Sequence, residues 1–131
     1  REMADSGVFE IQNHSYDFHE LKPRKGCLRM AGETAAAYRQ CFLSDTRRAQ
    51  DLFVSLGIEA PVCYTYPYGA VNAEAQALTA VCGFSVTLSC EEGVTALTRD
   101  TACLKGMRRN NRDGRWSSAQ FWDALLAQTE G

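Results

Sequence analysis

Only two histidines occur in the chain, and both fall in one stretch, Asn13-His14-Ser15-Tyr16-Asp17-Phe18-His19. Two imidazoles five residues apart can meet one ion if the chain turns between them. Their borderline nitrogen donors suit Zn, Co, Ni and Fe. Two donors are fewer than a catalytic site uses: such a site takes a third protein ligand, most simply a carboxylate, and keeps one position open for water. The residue types alone leave open a plainer reading, in which His14 and His19 are loop residues with ordinary hydrogen bonds. A second cluster, Tyr64-Thr65-Tyr66-Pro67-Tyr68-Gly69, surrounds a proline–glycine turn with three tyrosines. There Tyr66 and Tyr68 can serve a ligand or pack the turn.

The elements that must position these residues follow from periodicity and punctuation. Residues 8–13 alternate apolar and polar side chains, which predicts a short strand with one buried face running straight into His14. Before it, residues 1–7 read as the last turn of a helix closed by Gly7 as C-cap, so further chain is expected upstream of Arg1. Residues 20–32, rich in Lys, Arg, Pro and Gly, form a loop beside the histidines. Helical spacing of Tyr38, Phe42, Leu52, Phe53 and Leu56 predicts a helix over 33–56, stopped by Gly57. A strand over 62–66, the Pro67-Tyr68-Gly69 turn, a helix from Asn72 as N-cap to residue 81 and a strand over 84–89 come next, with Gly83 as a stop. Residues 104–109 are expected as a further strand. A final helix over 117–128, capped by Ser117 or Ser118, would present Phe121, Trp122, Leu125 and Leu126 inward. Strands alternating with helical crossovers imply an α/β architecture with parallel neighbours, in a barrel or a doubly wound sheet. In either, ligand sites gather at the C-terminal ends of the strands, where His14 lies.

Glu10-Ile11-Gln12-Asn13-His14-Ser15-Tyr16-Asp17-Phe18-His19 resembles the histidine motif of the polysaccharide deacetylase family, carbohydrate esterase family four. Tyr64-Thr65-Tyr66-Pro67-Tyr68-Gly69-Ala70-Val71-Asn72 is similar to that family's aromatic-proline-tyrosine-glycine motif. The likeness continues through Cys82-Gly83-Phe84-Ser85-Val86-Thr87-Leu88-Ser89 to Met107-Arg108-Arg109-Asn110-Asn111-Arg112 and so covers nearly the whole chain. The resemblance implies an incomplete (β/α) barrel, of which residues 1–131 would be the C-terminal portion as a single domain. It implies a hydrolase acting on acetylated polysaccharide or oligosaccharide through a divalent metal, zinc first, with cobalt or nickel as alternatives. His14 and His19 would be its metal ligands, Tyr66, Pro67 and Tyr68 would contact substrate, and the Tyr68 backbone N–H would stabilise the oxyanion. A cell-envelope or extracellular location is implied in the same way.

Four departures qualify the match. The commoner family spacing puts the histidines four residues apart, whereas here Phe18 holds that position, a spacing similar to the poly-N-acetylglucosamine deacetylase branch. The family's Thr-Phe-Asp-Asp-Gly motif, source of the general base and of a metal-binding Asp, is absent from these residues. The arginine that often precedes the proline of the tyrosine motif is replaced by Thr65 or Tyr66, and no histidine follows His19 to act as general acid. The chain alone is therefore expected to be weakly active or inactive. A second class of function, a carbohydrate-binding or scaffold protein that keeps the sugar groove, fits that absence. An unpaired strand edge would favour a homodimer.

Bulk properties narrow the partners. Fourteen Lys and Arg against 16 Asp and Glu give a formal charge of −2, with no footprint for nucleic acid or anionic lipid. No apolar run of about 18 residues spans a bilayer. The six cysteines show no CxxC or zinc-ribbon spacing, and four sit among apolar neighbours, where free Cys acts as a small hydrophobe; a disulfide between two of them stays open.

Overall fold

The computed structural model describes residues 1–129. Its centre is a parallel pair, β1 (Cys63–Thr65) and β2 (Val86–Leu88), in the register Cys63–Val86, Tyr64–Thr87 and Thr65–Leu88. Single parallel bridges extend the pair on both sides, Asn13 to Tyr64 and Met107 to Leu88. The order across the array is thus Asn13, β1, β2, Met107. On the β1 flank the Asn13 N–H donates to Cys63 O (3.1 Å) and the Thr65 N–H to Asn13 O (2.9 Å). On the β2 flank the Met107 N–H donates to Thr87 O (2.8 Å) and the Ser89 N–H to Met107 O (2.9 Å).

Both flanks are shorter than the alternation of side chains suggests. Residues 8–12 are not a strand: Val8 is 78% exposed, and the next rung is made by a side chain, Gln12 Oε1 accepting from the Cys63 N–H at 2.8 Å. The expected strand over 104–109 is likewise reduced to Met107, because residues Thr101–Leu104 close into a 3-10 turn capped by Asp100.

The helices begin where their caps dictate. A short α1 (Glu2–Asp5) ends near Gly7, whose φ of 69° is the left-handed conformation that a glycine C-cap supplies. Helix α2 (Ala35–Ser55) starts at Thr34, whose side chain accepts from the Ala37 N–H, and α3 (Ala73–Val81) starts at Asn72, which accepts from the Ala75 N–H. Helix α4 (Ser118–Leu126) starts at Ser117 in a capping box with Gln120. The buried stripe of α2 runs Tyr38, Phe42, Asp45, Thr46, Ala49, whereas Leu52 and Leu56, expected inside, are 46% and 45% exposed. The last turns of α2 overrun the core. None of the residues of α4 is buried either: Phe121 and Leu125 are half covered, while Trp122 and Leu126 face out.

The core is aromatic, built from Phe18, Tyr38, Phe42, Tyr64, Tyr66 and Phe84 with Cys27, Ala75 and Leu78. Phe42 touches Phe18, Tyr38 and Tyr64 at centroid distances of 5.8, 6.0 and 6.1 Å. Buried tyrosines need partners for their hydroxyls. Tyr38 donates to the Cys27 carbonyl, Tyr64 meets Cys27 Sγ at 3.3 Å and Tyr66 meets Thr79 Oγ1 at 3.0 Å. Burial pushes the Cys27 thiol up to about 12, so it stays protonated and acts as core packing. All six cysteines are free, with Cys27 and Cys63 buried and Cys90 exposed, and no disulfide links them.

Candidate metal centre

His14 follows directly on Asn13, the residue that pairs with β1, so its backbone is held at the edge of the parallel array. Its Nδ1 lies 2.8 Å from the carbonyl oxygen of Thr65, at the end of β1. A carbonyl only accepts, so Nδ1 carries the proton and Nε2 presents its lone pair outward. Tying one ring nitrogen to a carbonyl is how metal-ligating histidines are oriented.

Between the two histidines the chain reverses through Ser15, which sits at φ 77°. Four successive backbone N–H groups in this turn donate to side-chain oxygens. Ser15 N–H goes to Asn13 Oδ1 (2.8 Å), Tyr16 N–H to Asp45 Oδ2 (3.0 Å), Asp17 N–H to Asp45 Oδ1 (2.7 Å) and Phe18 N–H to Ser15 Oγ (3.1 Å). Asp45 is 8% exposed on the inner stripe of α2. Burial holds its carboxyl above the usual range, opposed by the hydrogen bonds from Tyr16 and Asp17. Phe18 then turns into the core, and His19 turns out. The two imidazoles come to a centroid separation of 5.0 Å at a tilt of 56°.

The tyrosine motif completes the cluster. Tyr68 adopts φ 57°, ψ 12°, the left-handed region that a bulky residue enters only under constraint. Its ring lies 4.4 Å from that of His19, and its hydroxyl donates to the His19 carbonyl at 3.2 Å. Among the described residues, Ser15 and Tyr68 are the two non-glycine residues with positive φ, and both belong to this one site. Gly69 is held close to the end of β2: a Cβ there would stand 2.7 Å from that of Cys90. Gly26 does the same for the preceding loop, where a Cβ would stand 2.5 Å from Pro67 O.

Of the expected site residues, His14, His19 and Tyr68 come together at the C-terminal ends of the parallel strands. Tyr66 and Pro67 do not present side chains there: both are fully buried, and Tyr66 spends its hydroxyl on Thr79. Arg108 turns to Glu91 and Glu92 O, Asn110 to Gly93 O and Gln128, and Arg112 to Ser118, so the late basic cluster satisfies itself. Sequence reading missed Asp45, although its place three residues after Phe42 on the apolar stripe was a signal that a carboxylate had been carried inside. The two imidazoles fit a divalent cation as a nitrogen pair, with His14 already in the required tautomer. Among the described residues no His, Cys, Asp or Glu joins them to make a set of three.

The family profile described as polysaccharide deacetylase matches residues 1–87, and the chain belongs to that family. Among solved structures it is similar to a de-N-acetylase from Aggregatibacter actinomycetemcomitans, with a TM-score of 0.70 and 19% identity over 95% of this chain and 51% of that one. It is also similar to the BpsB deacetylase domain from Bordetella bronchiseptica, with a TM-score of 0.63 and 26% identity over 82% of this chain and 45% of that one. The chain therefore spans about half the length of these structures and has the deacetylase α/β fold in part, an incomplete (β/α) barrel. None of the curated proteins matches it. No helix among the described residues is long and apolar enough to cross a membrane.

Proposed function

We propose that this chain carries the histidine half of the metal site of a hydrolase that removes acetyl groups from an N-acetylglucosamine-type polysaccharide. The supporting observation is the convergence of His14, His19 and Tyr68 at the strand ends, in a chain of the deacetylase family. The names of its structural neighbours, a de-N-acetylase and a deacetylase domain, support an acetamide as the group attacked. Such polymers lie in the cell envelope or outside the cell, and that is the proposed place of action.

His14 Nε2 and a nitrogen of His19 would hold the divalent cation, zinc or in its place cobalt or nickel. When bound, such an ion polarises the acetyl carbonyl and lowers the pKa of its water. The chain's own residues set the geometry. Thr65 O fixes the His14 tautomer, and Tyr68 braces His19 through ring contact and the hydrogen bond to its carbonyl. The Tyr68 backbone N–H, on a turn that holds this residue in the left-handed conformation, would donate to the oxyanion of the tetrahedral intermediate.

Calorimetric titration of Zn²⁺ and Co²⁺ into the metal-stripped chain, beside His14→Ala and His19→Ala, tests the reading without a substrate. Binding by the parent chain that both variants lose is the expected result. Equal heats from all three proteins would overturn the assignment of the pair.

A further inference from the structure

We propose that Asp45 is the positioning residue of the histidine turn, and that its carboxylate, delivered from the buried face of α2, sets the separation of the two imidazoles. The inference rests on the reading of His14 and His19 as a ligand pair.

The turn over residues 15–18 is held by side chains, since each of its four N–H groups donates to a side-chain oxygen. Two of those oxygens belong to Asn13 and Ser15, inside the motif itself. The other two are the pair of Asp45, which reaches across 28 and 29 residues of sequence and takes one N–H on each oxygen. Asp45 is thus the outside group that decides where the turn sits on the fold. Hydrogen bonds to a charged acceptor are the strong ones, and both oxygens are used.

Neighbouring contacts fasten the same turn to the same helix. Arg48, one turn further along α2, lies 3.9 Å from the Tyr16 ring centre. Gln50 bridges Asn13 Nδ2 and the Pro61 carbonyl, tying the start of the motif to the segment that leads into β1. A packing role alone would be better filled by an apolar side chain, because a buried carboxylate carries a desolvation cost that an aliphatic group does not. What an apolar residue cannot do is accept two N–H groups. An asparagine offers one acceptor oxygen in place of two and would aim its amide donors at one of the two N–H groups.

The test uses Asp45→Asn with Asp51→Asn, an exposed carboxylate on the same helix, as control. Amide hydrogen exchange at Tyr16 and Asp17 is followed by NMR, and Co²⁺ affinity by calorimetry and visible absorption. Asp45→Asn is expected to speed exchange at one or both amides by about tenfold and to weaken Co²⁺ binding about 10–100-fold, with the far-UV spectrum of the helices kept. Asp51→Asn should change neither. Unchanged Co²⁺ affinity in a folded Asp45→Asn would overturn the proposal. The parent chain also decides without any variant: both amides should exchange at least about tenfold more slowly than free amides, and free-amide rates would overturn it. Failure of the ligand-pair reading shows differently, as equal Co²⁺ binding by the parent and His14→Ala; the exchange data then uphold or overturn Asp45 on their own.

Discussion

Exchanging two adjacent residues, Phe18→His with His19→Phe, would give the histidines the four-residue spacing commoner in the family while keeping the composition. The structure argues that this swap fails twice. Position 18 points inward: Phe18 is 7% exposed, 5.8 Å from Phe42 and with the Arg24 guanidinium 5.2 Å above its ring. An imidazole there fills most of the phenyl volume but forfeits about 1.5–3 kcal/mol of apolar burial in part, and leaves ring nitrogens without partners at about 1–3 kcal/mol. Arg24 beside it disfavours the imidazolium, so protonation gives no escape. The sum is a loss of about 2–4 kcal/mol in a domain whose total stability is on the order of 5–15 kcal/mol. Position 19 meanwhile loses the only imidazole that faces His14. Urea denaturation, with the slope checked for constancy, reads the first effect, and Zn²⁺ titration reads the second. A swapped chain within about 1 kcal/mol of the parent, or one that binds zinc as well, would refute the claim that position 18 belongs to the core and position 19 to the site.

Two further expectations follow from the packing around that turn. Gly26→Ala should destabilise the chain by about 2 kcal/mol or more in urea, since φ is +53° and the new Cβ meets backbone at Pro67 rather than a movable side chain; parent-like stability would show that the loop over 20–32 is free to shift. The Arg24 guanidinium, bonded to Glu33 at 2.7 Å, holds the Glu33 carboxyl below its ordinary value of 4.5, so the stability this pair contributes is present above that value and lost as the pH falls through the lower, folded value. Urea midpoints from pH 6 down to pH 3 should therefore fall less steeply for Glu33→Gln than for the parent, and parallel curves would count against the pair.

Much of the order of elements was legible because local chemistry decides it. Caps at Asn72 and Ser117 and stops at Gly57 and Gly83 need only their own neighbours, and the helices start and end beside them. Parallel pairing followed from the helical crossover between β1 and β2. What failed was set at long range. Alternation over residues 8–13 could not reveal that one backbone rung forms at Asn13 while Gln12 uses its side chain. Helical spacing marked Leu52 and Leu56 as apolar, yet the core they would need ends near Ala49. In the site, the histidines and Tyr68 announced themselves by type, whereas Asp45 is one acidic residue among sixteen until the fold carries it under the turn.

The contacts that assemble the cluster join distant parts of the chain: His14 to Thr65 across 51 residues, Tyr68 to His19 across 49, Tyr16 to Asp45 across 29. No short peptide containing both histidines holds this arrangement, because its turn takes two of its four acceptor oxygens from Asp45 and His14 takes its partner from Thr65. In kinetic terms, contacts of such sequence separation are slow to form, since loop closure must precede them. A collapsed intermediate in which α2 has formed but β1 has not yet docked beside Asn13 would own all the donors and still lack their convergence. Metal capture by the proposed histidine pair would thus report the docking of β1 beside Asn13, which helix-sensitive spectroscopy would pass over.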